Sequence, residues 1–239
     1  MWSSLFPCAL GPLHRDDILA LAESSLELNS WTLEEALEPL RRFVVGDGIN
    51  NGYVYGHPRL GIHFRERLSS SERCEVDAHI LAWCNDQVAS AQDSNTALSS
   101  YVVHYFGAHL ERADAELPRY KPLLSDVWRN AWFAHEGSHS SYKADLLRIR
   151  KALQRSLQNT RSTENRLELI VMGMRCAMCL ASVNQVAANT PAEFVVPLVE
   201  KAVWPRHGAL AYARAIENPT CRARALICLR NVHKINQIT

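Results

Sequence analysis

Helical spacing of apolar residues runs through most of this chain, and it constrains the fold more than any other feature. From Ser69 to Thr239 we identify no convincing β-prone segment. Ser69 and Glu72 form a capping box, the Ser-x-x-Glu pattern that precedes many helices. Further along, one helical face carries Tyr142, Leu146, Ile149, Leu153 and Leu157. The sequence therefore predicts a mainly α fold.

The first 68 residues predict a smaller unit that also contains strands. A helix begins near Arg15, since acidic residues follow it in the first turn. Two β-prone runs, 43–45 and 53–55, are separated by glycines, asparagines and an aspartate, which are typical of a hairpin tip. Pro58 then opens a helix that reaches about Leu68. This order of helices and hairpin predicts a winged-helix-like domain over 1–68.

The rest of the chain predicts two helical domains, a helical arm over 69–160 and a helical-repeat segment over 161–239. The polar stretch 159–163 marks their boundary. In the second domain, Thr190-Pro191 and Asn218-Pro219 each combine a helix N-cap with a proline at the first helical position. We therefore expect a helical bundle followed by α-solenoid-like helix pairs.

The apolar stretch Leu169–Ala188 raises the question of a membrane span. It contains Arg175, Asn184 and Gln185, which a bilayer tolerates badly, so we predict a buried helix and no membrane partner. The seven cysteines form no tight disulfide framework, which indicates reduced thiols and a cytoplasmic location. A net charge of +1 is far from the basic charge typical of nucleic-acid-binding proteins, so we expect no nucleic-acid partner.

One short motif matches a known metal-binding pattern. His135-Glu136-Gly137-Ser138-His139 reads H-E-x-x-H, which on a helix places two zinc-binding imidazoles on one face and leaves Glu136 to activate water. A third ligand is required, and Glu164 and Glu168 are the candidates, because the longer pattern would need histidine where this chain has Asp145. Gly137 and the serines around His139 favour a helix boundary instead. We therefore expect no metal, and we keep a zinc hydrolase as the alternative function.

The other chemical motifs are weak or missing. Cys176 and Cys179 form a lone C-x-x-C within an apolar helical run, where small core residues are the better interpretation. The sequence contains no P-loop, no dinucleotide-binding glycine motif and no serine-hydrolase elbow. We therefore expect neither a cofactor nor enzymatic activity.

Several segments, taken in order, resemble bacterial STAND-class signalling NTPases, which are relatives of the NACHT and apoptotic ATPases. Residues 9–17 (ALGPLHRDD), 40–44 (LRRFV) and 53–60 (YVYGHPRL) are similar to the winged-helix domain of that family. Residues 101–110 (YVVHYFGAHL) and 127–132 (VWRNAW) are similar to its helical arm. The segments that resemble its sensor repeats are 175–177 (RCA), 181–184 (ASVN), 209–216 (ALAYARAI) and 218–219 (NP).

The resemblance implies a non-catalytic regulatory module, the sensor arm of a switch protein, which binds a protein partner through its repeat surface. His57 matches the winged-helix histidine that contacts a nucleotide phosphate in this family. The P-loop core that would hold the nucleotide is missing from this sequence, so we expect a truncated switch whose ATPase core is absent or separate. Without that core, the second interpretation is that His57 caps the helix after it.

A winged-helix DNA-binding regulator is the second alternative. Arg41 and Arg42 are its only clustered support in this region. Glu34, Glu35 and Glu38 oppose it, because acidic side chains repel the phosphate backbone of DNA.

Overall fold

The computed structural model describes residues 2–22, 30–94, 96–159, 163–189, 192–201, 204, 206–216 and 218–235. Within these ranges the protein is mainly helical with one small antiparallel sheet, as the sequence predicts. The chain divides into two compact units, Met1–Asp114 and Ala115–Thr239, called unit 1 and unit 2 below. This division falls inside the predicted helical arm, and the three-domain division stays a prediction.

Unit 1 combines helices with the hairpin. Its helices are α1 (Trp2–Cys8), α2 (Arg15–Ala22), α3 (Ser30–Leu37), α4 (Pro58–Arg67), α5 (Ser70–Ser94) and α6 (Ser100–Arg112). A short 3₁₀ helix, Glu38–Leu40, follows α3, because Pro39 has no N–H with which to continue an α-helix. The strands are β1 (Val44–Val45) and β2 (Val54–Tyr55). The predicted helices after Arg15 and Pro58 and the predicted hairpin are thus confirmed.

Strand pairing holds the hairpin at its base, and hydrogen bonds to a carboxylate hold its tip. Val44 lies opposite Tyr55, and an isolated antiparallel bridge adds Leu13 beside Tyr53. At the tip, the Asp47 carboxylate accepts hydrogen bonds from the N–H groups of residues 49, 50 and 51. The bonds from the Asn51 backbone and the Asn50 side chain are the main causes that lower the pKa of Asp47 to about 2. The polar groups of the tip therefore form hydrogen bonds with one another, as expected in a hairpin turn.

Helix α5 is the centre of unit 1. Its N-terminus carries the predicted capping box, with the Ser69 N–H donating to Glu72 at 2.8 Å and the Glu72 N–H donating to Ser69 Oγ at 3.2 Å. The helix packs against α1, α2 and α6. Residues on its inner side, Ile80 and Cys84, are fully buried. Other apolar residues of unit 1 that are fully buried are Leu13, Ile18, Leu33, Val102, Val103, Phe106 and Leu110.

A partly buried polar network joins four helices of unit 1. Asp77 on α5 accepts from Arg65 Nη2 of α4 at 2.8 Å and from Arg112 Nη2 of α6 at 2.6 Å. Arg112 Nη2 also donates to the Cys8 carbonyl at 2.5 Å, at the end of α1. A cation at a helix C-terminus satisfies an unpaired carbonyl and interacts favourably with the helix dipole.

His109 completes the network as a neutral side chain. Its Nδ1 lies 3.0 Å from Arg112 Nη2, and a guanidinium only donates, so Nδ1 is the acceptor. The proton therefore lies on Nε2 and points at Tyr101 Oη, 2.7 Å away. Burial, and then the charge of Arg112, lower the pKa of His109 from 6.5 to about 3. A second proton on this ring would face Arg112 directly.

We predict that unit 1 loses stability as His109 is forced to protonate. The folded pKa lies below the unfolded value, so the contribution of neutral His109 is complete above pH 6.5 and declines as the pH falls toward 3. Over that interval one proton corresponds to a slope of about 1.4 kcal/mol per pH unit. Urea unfolding of the wild type and of His109→Gln at several pH values measures it. The stability difference between the two should shrink with falling pH, and a difference independent of pH would contradict a neutral, buried His109.

Unit 2 is helical throughout its described residues. It begins with a 3₁₀ segment, Leu117–Leu124, which contains Pro118 and Pro122. The helices that follow are α7 (Asp126–Glu136), α8 (Tyr142–Asn159), α9 (Thr163–Asn189), α10 (Ala192–Glu200), α11 (Arg206–Ala215) and α12 (Pro219–Ile235). Of the two predicted proline caps, that at 190–191 lies outside the described residues. At the other, Asn218 Oδ1 accepts from the Thr220 N–H at 2.9 Å.

Two groups of contacts hold unit 2 together. Helix α8 packs against α9 and the 3₁₀ segment, and its predicted apolar face is buried from Tyr142 to Leu153, whereas Leu157 is exposed. Helices α10, α11 and α12 pack on one another around a separate apolar cluster. The cluster consists of Val195, Ala209, Tyr212, Ala213, Ile216, Ala225 and Leu229.

A buried carboxylate joins α7 to α8. Asp145 is 1% exposed, and its Oδ2 accepts from the indole N–H groups of Trp128 at 3.1 Å and Trp132 at 3.0 Å. Its Oδ1 accepts from Arg148 Nη1 at 2.9 Å. Burial raises the pKa of Asp145, and the Arg148 charge and the two indole hydrogen bonds oppose that shift. The two tryptophans are themselves buried core residues.

Replacing Asp145 tests how much this junction contributes. Asp145→Leu removes the acceptor of both indoles, and each buried donor left unsatisfied costs about 1–3 kcal/mol. Asp145→Asn keeps one oxygen that both indoles can share, so its loss of stability should be clearly smaller. Urea denaturation measures both values, and equal losses in the two variants would contradict the assigned acceptor role.

Candidate functional site

His57 is the first of the residues that the sequence singles out. This exposed residue is the N-cap of α4, and its Nδ1 accepts from the Arg59 N–H at 3.1 Å. His57 lies outside the helix in extended backbone, and Pro58 follows at the first helical position. The helix-capping interpretation of His57 therefore describes its geometry. Its contact with a nucleotide phosphate stays a prediction.

The H-E-x-x-H motif does not lie on one helix. Helix α7 ends at Glu136, and Gly137 has a left-handed backbone, φ 64°, with its N–H bonded to the Phe133 carbonyl at 2.7 Å. His135 therefore lies in the last turn of α7, while His139 lies beyond the helix. The two imidazoles of the alternative zinc site therefore do not share one helical face, and the helix boundary favoured by Gly137 is the observed arrangement.

The surroundings of His139 are those of a packed side chain. Its ring lies 5.2 Å from the ring of Phe133, centroid to centroid, and burial and then the charge of Arg129 lower its pKa. Of the two candidate third ligands, Glu168 is exposed on α9, and the side chain of Glu164 lies outside the described residues. No group of three His, Cys, Asp or Glu side chains that could hold a metal occurs among the described residues.

The C-x-x-C pair also has a packing role. All seven cysteines are free thiols. Cys176 is buried on the α8 side of α9, and its Sγ donates to the Leu146 carbonyl at 3.3 Å. Burial raises the pKa of Cys176 to about 11, which keeps the thiol protonated and unreactive. The interpretation of Cys176 as a small core residue matches this environment, and Cys179 is half-buried.

The largest departure from the sequence analysis is the exposure of α9, which the sequence predicts as a buried helix. Met172 and Cys176 are buried, but most other large apolar side chains of this helix face outward. The α9 apolar face, as we call it, comprises Leu167 (64% exposed), Ile170 (51%), Val171 (51%), Met174 (61%) and Met178 (71%). By length and composition Arg166–Asn184 is able to span a membrane, and 17% of that segment is buried.

A groove runs along one edge of the α9 apolar face. It has a volume of about 390 Å³ and lies between α9 and the end of the 3₁₀ segment. Leu124, Leu167, Val171 and Met172 supply its apolar lining. The charged residues of the groove are Lys121, Arg175 and Glu168, two cations and one anion. This arrangement is able to hold an apolar ridge of a partner beside a weakly positive rim.

Sequence reasoning missed this surface because it treated apolar composition as burial. A helix that is apolar on all sides needs cover on all sides, and the described contacts of α9 cover part of it. Gly173 is a further sign that α9 is only partly covered, since a Cβ added there meets no neighbouring side chain or helix within 4 Å.

No family model, curated protein or solved structure matches the chain.

Two glycine substitutions test the end of α7. In Gly137→Ala the new Cβ is placed in a left-handed conformation, so we predict a loss of about 1–2 kcal/mol. In an unbroken helix the same change would stabilise the protein by about 0.5–1 kcal/mol, because glycine is the poorer helix former.

Gly173→Ala is the matched control, since Gly173 lies inside α9 with open space around it. It should increase the free energy of unfolding. Urea unfolding that shows a gain in both variants would support a continuous helix through His139 and reopen the zinc arrangement.

Proposed function

We propose that this chain is a non-catalytic protein-interaction module that binds a partner protein through the α9 apolar face. The observation that carries this proposal is the exposure of five large apolar side chains along one helix. Apolar surface in water is unfavourable by about 25 cal/mol per Å², so covering it stabilises a complex. Contiguous exposed apolar patches on soluble domains mark interaction sites for the same reason.

The charges beside the face indicate the kind of partner. Lys121 and Arg175 outnumber Glu168 in the groove, which favours an amphipathic helix with acidic residues beside its apolar stripe. The exposed residues at 167, 170, 171, 174 and 178 follow the spacing at which one helix receives another. Met174 and Met178 add flexible side chains that adapt to a partner surface.

The charged residues on and beside α9 favour a protein partner over a lipid bilayer. Arg175 is exposed near the middle of the apolar segment, where a bilayer centre costs a charged arginine about 2.5–3.5 kcal/mol. The opposite side of α9 packs on α8, which carries the exposed cations Arg150 and Lys151. Insertion of α9 would carry these charges toward the lipid.

The regulatory part of the proposal rests on the resemblance to STAND-class NTPases. Its N-terminal support is the order α1, the bridge at Leu13, α2, α3, β1 and β2, which is the order of a winged-helix domain. In such a switch a cytoplasmic partner shifts the population by binding one state better than the other, and a separate P-loop ATPase would supply hydrolysis. The exposed carboxylates of Glu34 and Glu35 on α3 speak against DNA binding.

Fluorescence anisotropy with synthetic amphipathic peptides tests the proposal. We predict that a helical peptide with an apolar stripe and glutamate flanks binds more tightly than the same stripe with lysine flanks. Met174→Glu and Met178→Glu should each weaken binding at least tenfold, because a charge in a desolvated contact is strongly unfavourable. Glutamate is a good helix former and both sites are exposed, so folding should be preserved.

Ile227→Glu on α12 is the matched control, since Ile227 is 60% exposed and lies outside the α9 apolar face. It should leave peptide affinity unchanged. Equal affinity for the wild type and the α9 variants would overturn the proposal. So would binding to phosphatidylglycerol vesicles that is lost in the same variants while the peptides do not bind.

A further inference from the structure

Unit 1 contains a cleft that has no part in the proposed partner binding. Its volume is about 380 Å³, at the lower end of the roughly 300–1,000 Å³ of small-molecule pockets. Phe6, Leu10, Tyr55 and Ile62 form apolar walls. The rings of Tyr55 and Phe64 stack at 5.5 Å, which fixes the aromatic wall in place.

Two arginines lie in the lining of this otherwise apolar cleft. Arg65 is supplied by α4 and Arg112 by the end of α6, and none of the described lining residues is acidic. Both guanidinium groups bond to the one carboxylate of Asp77, so two positive charges meet one negative charge. A neutral His109 adds no charge to this balance. The site therefore holds one positive charge in excess.

The arginines also have hydrogen-bond donors to spare. Among the described residues, the acceptors of Cys8, Asp77 and His109 all lie within hydrogen-bond distance of Arg112 Nη2 and share its two N–H groups. Arg65 bonds to Asp77 through Nη1 and Nη2. A guanidinium carries five N–H donors, so Nε and Nη1 of Arg112 and Nε of Arg65 remain for another acceptor. Burial lowers the pKa of Arg112, which is the direction expected of a desolvated cation that an additional anion would stabilise.

We propose that this cleft binds a small organic anion, a carboxylate or phosphate group on an apolar or aromatic body. The anionic head would lie against Arg65 and Arg112, completing a cluster of two positive and two negative groups. Planar carboxylates match the fork of a guanidinium in a two-bond geometry. The body would lie between the aromatic wall of Tyr55 and the aliphatic side chains of Leu10 and Ile62.

Isothermal titration calorimetry at low salt tests this with probes that differ in charge alone. Indole-3-acetate should bind, and indole-3-acetamide, which has the same shape without the charge, should bind at least tenfold more weakly. Phenyl phosphate tests the phosphate head, and inorganic phosphate tests whether the apolar body is needed. Equal affinities for the acetate and the amide, or no binding of any probe at millimolar concentration, would overturn the proposal.

Variants at Ile62 separate charge from folding, because this side chain lines the cleft and is 58% exposed. Ile62→Glu places a carboxylate one turn before Arg65, where it supplies the missing negative charge and competes with the ligand. Binding of indole-3-acetate should fall at least tenfold. Ile62→Gln should lose less, and Ile49→Glu, at the exposed hairpin tip, should lose nothing. Losses of the same size in all three variants would contradict the charge argument.

Discussion

The arrangement of helices in unit 1 depends on the ion pairs that the Asp77 carboxylate makes. This carboxylate receives Arg65 from α4 and Arg112 from α6, and Arg112 extends the connection to the end of α1 at the Cys8 carbonyl. Apolar packing is not directional, so it does not by itself fix how these helices are oriented. Charge-assisted hydrogen bonds fix distances and directions, and a partner removed from such a cluster leaves a charge unpaired. The organic-anion cleft is a consequence, because the network that joins the helices also holds two cations side by side.

In unit 2 a hydrogen-bonded carboxylate likewise joins two helices, α7 and α8. No comparable carboxylate joins α9 to its neighbours among the described hydrogen bonds. Asp145 binds two indoles and an arginine, so the polar groups at that junction are paired. Helix α9 has no comparable polar anchor among the described hydrogen bonds except the Cys176 thiol, and it packs through Met172 and Cys176. The five exposed side chains of the α9 apolar face contribute little to the fold of the unit. Their exposure is a cost to the isolated chain that binding would remove, which is why we assign function to this surface.

Local features of the fold were predictable from the sequence. The capping box at Ser69 and Glu72, the helix after Pro58 and the hairpin between 43 and 55 depend on residues near one another in the chain. The end of α7 at Gly137 was predictable for the same reason, because a helix that ends in a left-handed residue usually has glycine at that position. The networks around Asp77 and Asp145 were not predictable, because the two arginines lie 12 and 35 residues from Asp77 and the two indoles lie 13 and 17 residues from Asp145. The exposure of α9 was predicted wrongly. Hydropathy describes how strongly a segment favours burial, whereas burial itself depends on which neighbouring helices cover the segment.

The methionine methyl groups report whether α9 presents its apolar face to solvent. Met172, Met174 and Met178 lie on one helix and are 7%, 61% and 71% exposed. Carbon-13 methyl NMR of the purified chain with a neutral, soluble gadolinium agent measures their access to solvent. We predict strong broadening of the Met174 and Met178 signals and protection of Met172. Equal protection of all three methyl groups at every protein concentration would mean that α9 is buried and would contradict the account.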